Sequence, residues 1–324
     1  MWKKEVKNKI IFFSKWIILI FVIFSILFKI VDFNFANAYR FDHIFNEKHN
    51  YFFLFLSLLG LVLNISLEAL KWRTLISTLE SIKFVHSLKA ILVAMSAGLI
   101  TPARLGEIPA RVVFLQHENR ISGLSPTISG SFAQFFVTVF IGLLSLANLI
   151  FQKALIQNDW KWLFIITSIL FFISSLALIF MSRNLGKCLN IKLYSHWKRI
   201  ADAFQNIPLK TNIISFLLSF LRLCVYNAQF YFLLLFWGCE ISIIDSFTAT
   251  FSIFLFLSVI PSFILADLGI RGIVSLFFLG LFTQNQLAII FATFSLWALN
   301  IAIPTLIGSI FLFQIKLGQK THNL

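Results

Sequence analysis

Residues 94–111 read AMSAGLITPARLGEIPAR, and residues 256–272 read FLSVIPSFILADLGIRG. Each is an apolar run that halts at a proline and resumes with charges. Proline removes a backbone donor and clashes with the preceding turn, and glycine favours turns. The apolar regions holding these stretches, 86–115 and 247–282, therefore read as pairs of half-helices and not as straight spans. The first breaks at Thr101-Pro102; the second breaks at Pro261 and again around Asp267-Leu268-Gly269.

Outward from these two regions the chain is continuous apolar helix. Full spans are expected at about 14–33, 51–70, 126–151, 162–181, 213–237 and 287–313. Of 324 residues, 59% are hydrophobic and 12% charged, about half the charged share of a soluble domain. In hydrocarbon every backbone N–H and C=O must be satisfied internally, which leaves helices or a closed barrel. Unbroken runs of Ile, Leu and Phe lack the period-2 alternation of barrel strands. The expected fold is all-α: a polytopic membrane helix bundle of about six full spans plus two re-entrant broken-helix regions, forming one integral membrane domain over 1–324.

The net charge of +14 fits basic loops against anionic headgroups, so no nucleic-acid partner is expected. Cys188, Cys224 and Cys239 form no CxxC pair and imply neither a disulfide framework nor a zinc site. Lys3, Lys4, Lys7, Lys9 and Lys15 precede the first run, and Ala36-Asn37-Ala38 imitates a signal-peptidase site. The run from Trp16 to Phe33 is longer than a usual signal core and carries Lys29 and Asp32, so an uncleaved first span is expected.

With both broken regions re-entrant, the two termini share a side. On that topology 20 of the 27 Lys and Arg fall on the side of the termini and 5 on the other, which the positive-inside rule reads as N-in and C-in. Each half, about 1–158 and 159–324, then holds two spans, a broken region and one further span. Three crossings per half make the second half inverted. Inverted halves with matched broken helices point to a transport site near the midplane. The shared cores are read as Leu105-Gly106 and Leu268-Gly269 with reversed charge order. Residues 187–207 carry one apolar stripe, Leu193, Trp197, Ile200, Phe204 and Ile207, and read as an interfacial helix on the inner leaflet.

Charges at membrane depth cost about 2.5–3.5 kcal/mol each on insertion scales, so they need a reason. Arg104, Glu107 and Arg111 have i, i+3, i+7 spacing and would share a helix face. Glu107 neutralises one arginine and leaves a cation over, a constellation suited to phosphate or carboxylate. Arg222, Tyr226 and Gln229 mark one face of the fifth span, extended by Ser215 and Ser219. Asn64, Glu68 and Lys71 form a parallel stripe on the second span, and Ser131, Gln134 and Thr138 on the third. Asp267 and Arg271 belong to the second broken region. Lys71-Trp72-Arg73, at a span end, reads as an interface anchor, with Arg73 an accessory candidate.

Enzyme chemistry finds no support. The chain has no G-x-x-x-x-G-K-[ST] loop, no aspartate cluster for Mg²⁺-diphosphate, no HExxH and no nucleophile elbow. No cofactor or metal and no catalytic residue is expected.

Thr101-Pro102-Ala103-Arg104-Leu105-Gly106-Glu107 with Arg111 and Leu115 resembles the signature of the lysylphosphatidylglycerol synthase transmembrane-region family, the flippase-like integral membrane proteins. Asn64 with Glu68-Ala69-Leu70-Lys71-Trp72-Arg73 is similar to its second-span ending. Pro261-Ser262 and Asp267-Leu268-Gly269-Ile270-Arg271 are similar to its second conserved stretch. The resemblance covers nearly the whole chain. It implies a bacterial cytoplasmic (inner) membrane protein that moves, or helps to move, a polar lipid between leaflets. The synthases' soluble aminoacyltransferase domain is not expected, and Gly272 stands where the family carries an acid.

The leading expectation is translocation of a polar or phospho-lipid with an anionic headgroup. Arg104, Arg111 and Arg271 would hold it, Glu107 and Asp267 would balance charge, and Arg222, Tyr226 and Gln229 would line the path. Asn64, Glu68, Arg73 and Gln134 are accessory. The alternative is a membrane-embedded enzyme or accessory subunit in lipid-linked glycan or lipid modification. A lipid-modifying enzyme as partner and a homo-oligomer both stay open.

Overall fold

The structure is a computed structural model that describes residues 48–101, 104–153, 206–260 and 264–314, with a few isolated positions between 162 and 203. Every regular element among them is helical: α1 (Lys48–Ile76), α2 (Phe84–Ile100), α3 (Glu107–Val112), α4 (Leu124–Gln152), α5 (Leu209–Phe236), α6 (Ile243–Val259), α7 (Ile264–Leu279), α8 (Gln286–Trp297) and α9 (Ile303–Gln314). A π-helical turn, Ala298–Ala302, joins α8 to α9. Four stretches are long and apolar enough to cross a membrane: Asn50–Ile76, Leu124–Gln152, Leu209–Phe236 and Gln286–Phe311. These are the spans expected at 51–70, 126–151, 213–237 and 287–313. The spans expected at 14–33 and 162–181 and the interfacial helix at 187–207 lie outside the described residues, apart from isolated positions.

Both breaks at proline are present. Thr101 and Ile260, each preceding a proline, are extended (φ −102°, ψ 144° and φ −81°, ψ 110°), because the proline ring disfavours the α region for its predecessor. The helices that end there, α2 and α6, are each 17 residues long, or about 25 Å at 1.5 Å per residue, short of a ~30 Å hydrocarbon core. The second break expected around Asp267-Leu268-Gly269 is absent: α7 runs through it without interruption. A single glycine costs a helix only about 1 kcal/mol relative to alanine, and the i, i+4 pair of Asp267 and Arg271, 2.9 Å apart, reinforces this turn.

Capping sets other boundaries. Ser242 accepts from the Asp245 backbone N–H at 3.1 Å and donates to its carboxylate at 2.7 Å, which starts α6. Asn285 caps α8 by accepting from the Ala288 N–H.

Polar side chains are buried inside the bundle beside its apolar cores. Along α1 the buried side carries Ser57, Gly60, Asn64, Glu68 and Lys71, while Phe52, Phe55, Val62 and Leu63 are exposed. That inversion is what a lipid solvent selects, since apolar side chains lose nothing by facing hydrocarbon. α1 lies along α5, α6 packs on α4, and α9 packs on α2. Gly142 lets α4 approach Leu255 and the Phe251 carbonyl, and Gly308 lets α9 approach the Leu92 carbonyl. One apolar core, including Leu223, Phe230, Ile253, Phe278 and Ile289, joins α4–α8; a smaller one, around Trp72, Ile91 and Val112, joins α1, α2 and α3.

Candidate functional site

α1 and α5 run antiparallel in a register fixed by their polar residues: Ser57 lies opposite Gln229, and Asn64 and Glu68 lie opposite Arg222. Gly60 leaves room for the stem of Gln229, which a Cβ at 60 would meet at 3.3 Å. Beside Glu68, α3 inserts Arg111 against this pair.

Glu68 is the centre, 5% exposed. Its Oε1 accepts from Arg111 Nη1 at 2.7 Å; its Oε2 accepts from Lys71 Nζ at 2.7 Å and from Arg222 Nη1 at 2.8 Å. Lys71 and Arg111 are also buried. Arg111 Nη2 donates to Glu107 at 3.3 Å, and Arg104 Nε donates to the other Glu107 oxygen at 2.7 Å. On the far side, Arg222 Nε donates to Asn64 at 2.7 Å, Asn64 to Asn300 at 2.6 Å, Asn300 to Gln229 at 2.9 Å, and Gln229 to the Ser57 carbonyl at 3.0 Å. One hydrogen-bonded chain thus runs from exposed Arg104 to the middle of α1 and α5.

Four cations, Arg104, Lys71, Arg111 and Arg222, face two carboxylates, Glu68 and Glu107. The excess is two positive charges among groups of which only Arg104 is exposed, and among the described residues the Nε of Arg111 makes no hydrogen bond. An unpaired buried cation is costly unless an anion joins it. Guanidinium groups with free donors take phosphate or carboxylate oxygens.

A family model described as the lysylphosphatidylglycerol synthase TM region matches residues 13–308. The chain belongs to that family. A comparison with curated proteins found no match. Membership in a family named for the membrane part of a lipid synthase, with four helices fit to cross a bilayer, makes this a multi-helix membrane protein with a lipid-related role.

Within this family member, the structure joins most of the residues singled out in the sequence. Arg104, Glu107, Arg111, Arg222, Gln229, Asn64, Glu68 and Gln134 belong to one network; Gln134 Oε1 accepts from Lys71 and Arg222 at 3.4 Å each. Asp267, Arg271 and Tyr226 form a second, smaller group: Arg271 is paired with Asp267, and Tyr226 neighbours Arg271 and packs edge-on to Phe254. Arg222 and Tyr226, one turn apart on α5, therefore serve different groups.

Several expectations change. Arg104, Glu107 and Arg111 do not share one helix, because α3 begins at Glu107 and Arg104 precedes it in the left-handed region at φ 57°. A non-glycine residue there stores strain of about 1 kcal/mol or more, offset here by the Glu107 pair. Gly98 makes the room: a Cβ there would collide with the Glu107 side chain. Lys71-Trp72 is no interface anchor, since α1 continues to Ile76, Lys71 is bound to Glu68, and buried Trp72 donates to Thr127 at 3.0 Å. Arg73 is exposed and donates to the Ile82 carbonyl, away from the network. Ser131 and Thr138 bond only back to their own helix. Sequence reasoning missed Asn300, whose one signal was its being the sole amide between Leu287 and Phe313.

Proposed function

We propose that this protein translocates a polar or phospho-lipid with an anionic headgroup between leaflets of the bacterial cytoplasmic membrane. The observation that carries this reading is the Glu68 cluster: four cations against two carboxylates, all but Arg104 buried or half-buried, where a broken helix meets the two central spans. A phosphodiester, with one negative charge, takes up half of that excess and offers oxygens to the guanidinium donors.

An inverted repeat supports it. α2 and α6 begin 159 residues apart, and α4 and α8 begin 162 apart. At an offset of 160, Glu107 matches Asp267 and Arg111 matches Arg271, each an acid–arginine pair across one turn. On this register the two regions would share one charge order, whereas a register through Leu105-Gly106 and Leu268-Gly269 reverses it. The two pairs would then serve opposite leaflets, with N-in and C-in orientation placing Arg111 toward the inner one. The crosswise packing of α6 on α4 and α9 on α2 is what intertwined inverted halves produce.

Arg104, exposed at the mouth, would meet the headgroup first; Arg111 and Arg222 would take it deeper. Tyr226 and Arg271 would receive it on the other side. Reconstitution into vesicles bearing fluorescent phosphatidylglycerol tests this. The purified protein is expected to expose inner-leaflet probe to an external quencher, and Arg111→Gln and Arg271→Gln are expected to suppress it. A wild-type rate equal to that of empty vesicles would sink the reading.

A further inference from the structure

A seam of small polar residues leads away from the cluster between α4 and α5. On α5, Asn212, Ser215, Ser219 and Arg222 follow 3, 4, 3 spacing on one buried or half-buried side. Facing them on α4, Ser129 bonds Asn212 at 3.4 Å and the Gln134 amide donates to the Ser219 carbonyl at 3.4 Å. The antiparallel register that sets Asn64 opposite Arg222 and Ser57 opposite Gln229 brings Lys71 level with Ser215 and Ser219. Gln134 ties them together, accepting from Lys71 Nζ while donating to Ser219. Yet the hydroxyls of Ser215 and Ser219, 1% and 0% exposed, make no hydrogen bond among the described residues. Two buried, unpartnered hydroxyls in one line are groups that can each accept a proton and pass one on.

Lys71 stands where this seam meets the cluster. The charged groups facing it are Glu68 on its own helix, Arg111 with Glu107 behind it on α3, and Arg222 on α5; α4 presents the neutral Gln134. Among the four cations, the three guanidiniums are permanently charged, whereas a buried lysine can give up its proton. Glu68 has both oxygens committed to cationic donors.

We propose that Lys71 is a proton-coupling site, loaded and unloaded through the Asn212–Ser215–Ser219 seam, so that one proton accompanies each anionic headgroup. This rests on the translocation reading above. With the headgroup bound, the excess of two positive charges falls to one and Lys71 keeps its proton. When the headgroup leaves, an Nζ–H bond breaks, the electron pair stays on nitrogen, and the proton passes to the Ser219 and Ser215 hydroxyls and on toward Asn212. The neutral amine retains hydrogens with which to hold Glu68. Anion and proton each favour the binding of the other, as linkage requires, so the two move together.

The test uses the full-length protein in phosphatidylcholine vesicles with NBD-labelled phosphatidylglycerol, first at equal pH and then across a pH gradient. For one proton per lipid, the steady-state leaflet ratio of the probe shifts by up to about tenfold per pH unit, the free energy of a tenfold concentration ratio. Lys71→Arg, with a fixed charge, should lose that gradient response. A second measurement needs no variant: adding short-chain phosphatidylglycerol to wild-type protein in weakly buffered detergent should take up protons. Flipping at equal pH with no gradient response, a Lys71→Arg protein that responds like wild type, or binding without proton uptake each overturns the coupling and leaves translocation standing. Absence of flipping at equal pH overturns the translocation reading itself.

Discussion

Glu68 and Arg222 are bonded across the α1–α5 interface at 2.8 Å, and the same carboxylate holds Arg111 from α3 and Lys71 from its own helix. One carboxylate therefore organises three cations on three elements. Glu68→Gln keeps the shape but leaves those cations without their counter-charge. Removing one partner of a buried pair costs about 3–5 kcal/mol. Denaturant unfolding in detergent should show a loss of that order. Arg73→Gln, at an exposed residue bonded only to the Ile82 carbonyl, should stay within about 0.5 kcal/mol.

Neutralising both ends of the pair should hurt less than the two single changes together suggest. Arg222→Gln alone leaves Glu68 two cations, and the double variant Glu68→Gln/Arg222→Gln removes one charge of each sign. A double-mutant cycle on unfolding should give a coupling energy of about 1–3 kcal/mol, the range for residues in one network. A value near zero would mean that Arg222 is held by Asn64 and solvent instead.

The membrane class and both proline breaks were legible in the sequence because they depend on local composition and on the steric reach of one ring. The site was legible in part. Glu107, Arg111 and Arg222 stood out because charge is rare in apolar runs. What could not be read was register. Lys71 looked like an end-of-span lysine until α1 proved to continue to Ile76, and Glu68 looked accessory because its three partners come from positions 3, 43 and 154 residues away. The Leu-Gly likeness of the broken regions and their acid–arginine pairs give different registers: small and apolar residues recur freely in such sequence, whereas an acid and an arginine paired across one turn do not. Gly269 suggested a break that the neighbouring ion pair and helix packing override.

Asn300 links the two ends of the amide chain, accepting from Asn64 and donating to Gln229 from a π-helical turn. π-turns place an extra residue in a helix and often occur at functional positions. Asn300→Leu removes both bonds from a buried site. Interhelical hydrogen bonds in membrane proteins average about 0.6 kcal/mol and reach about 1.7, so the stability loss should be about 1–3 kcal/mol once the stranded amides are counted. Flipping should fall further than stability, since Asn64 also positions Arg222.

Gly98 tests whether the mouth of the site works through Glu107. A side chain at 98 meets the Glu107 side chain, a flexible group that can swing away. Gly98→Val should therefore strip Arg104 and Arg111 of their shared partner and lower stability by about 1–3 kcal/mol. Each charge-assisted bond lost is worth about 1.5–3 kcal/mol, so transport should drop by about tenfold or more. Gly98→Ser, smaller and polar, should lose less.

Gly308→Leu attacks the crossing of α9 on α2, and here the obstacle cannot swing aside. A Cβ at 308 meets the Leu92 backbone carbonyl and the Ser96 hydroxyl, and that hydroxyl donates to the Thr305 carbonyl at 2.7 Å. The helices must separate, losing the close packing that drives association in lipid. Gly142→Leu meets Leu255 and the Phe251 carbonyl at the crossing of α6 on α4. If the two crossings are equivalent parts of inverted halves, the two variants should destabilise by similar amounts, each beyond the roughly 1–3 kcal/mol of ordinary overpacking. Gly272→Leu is the control, because nothing lies within reach of a Cβ there. Unfolding of all three side by side decides it: a Gly308→Leu protein as stable as Gly272→Leu would mean that α9 does not bear on α2 in the folded bundle.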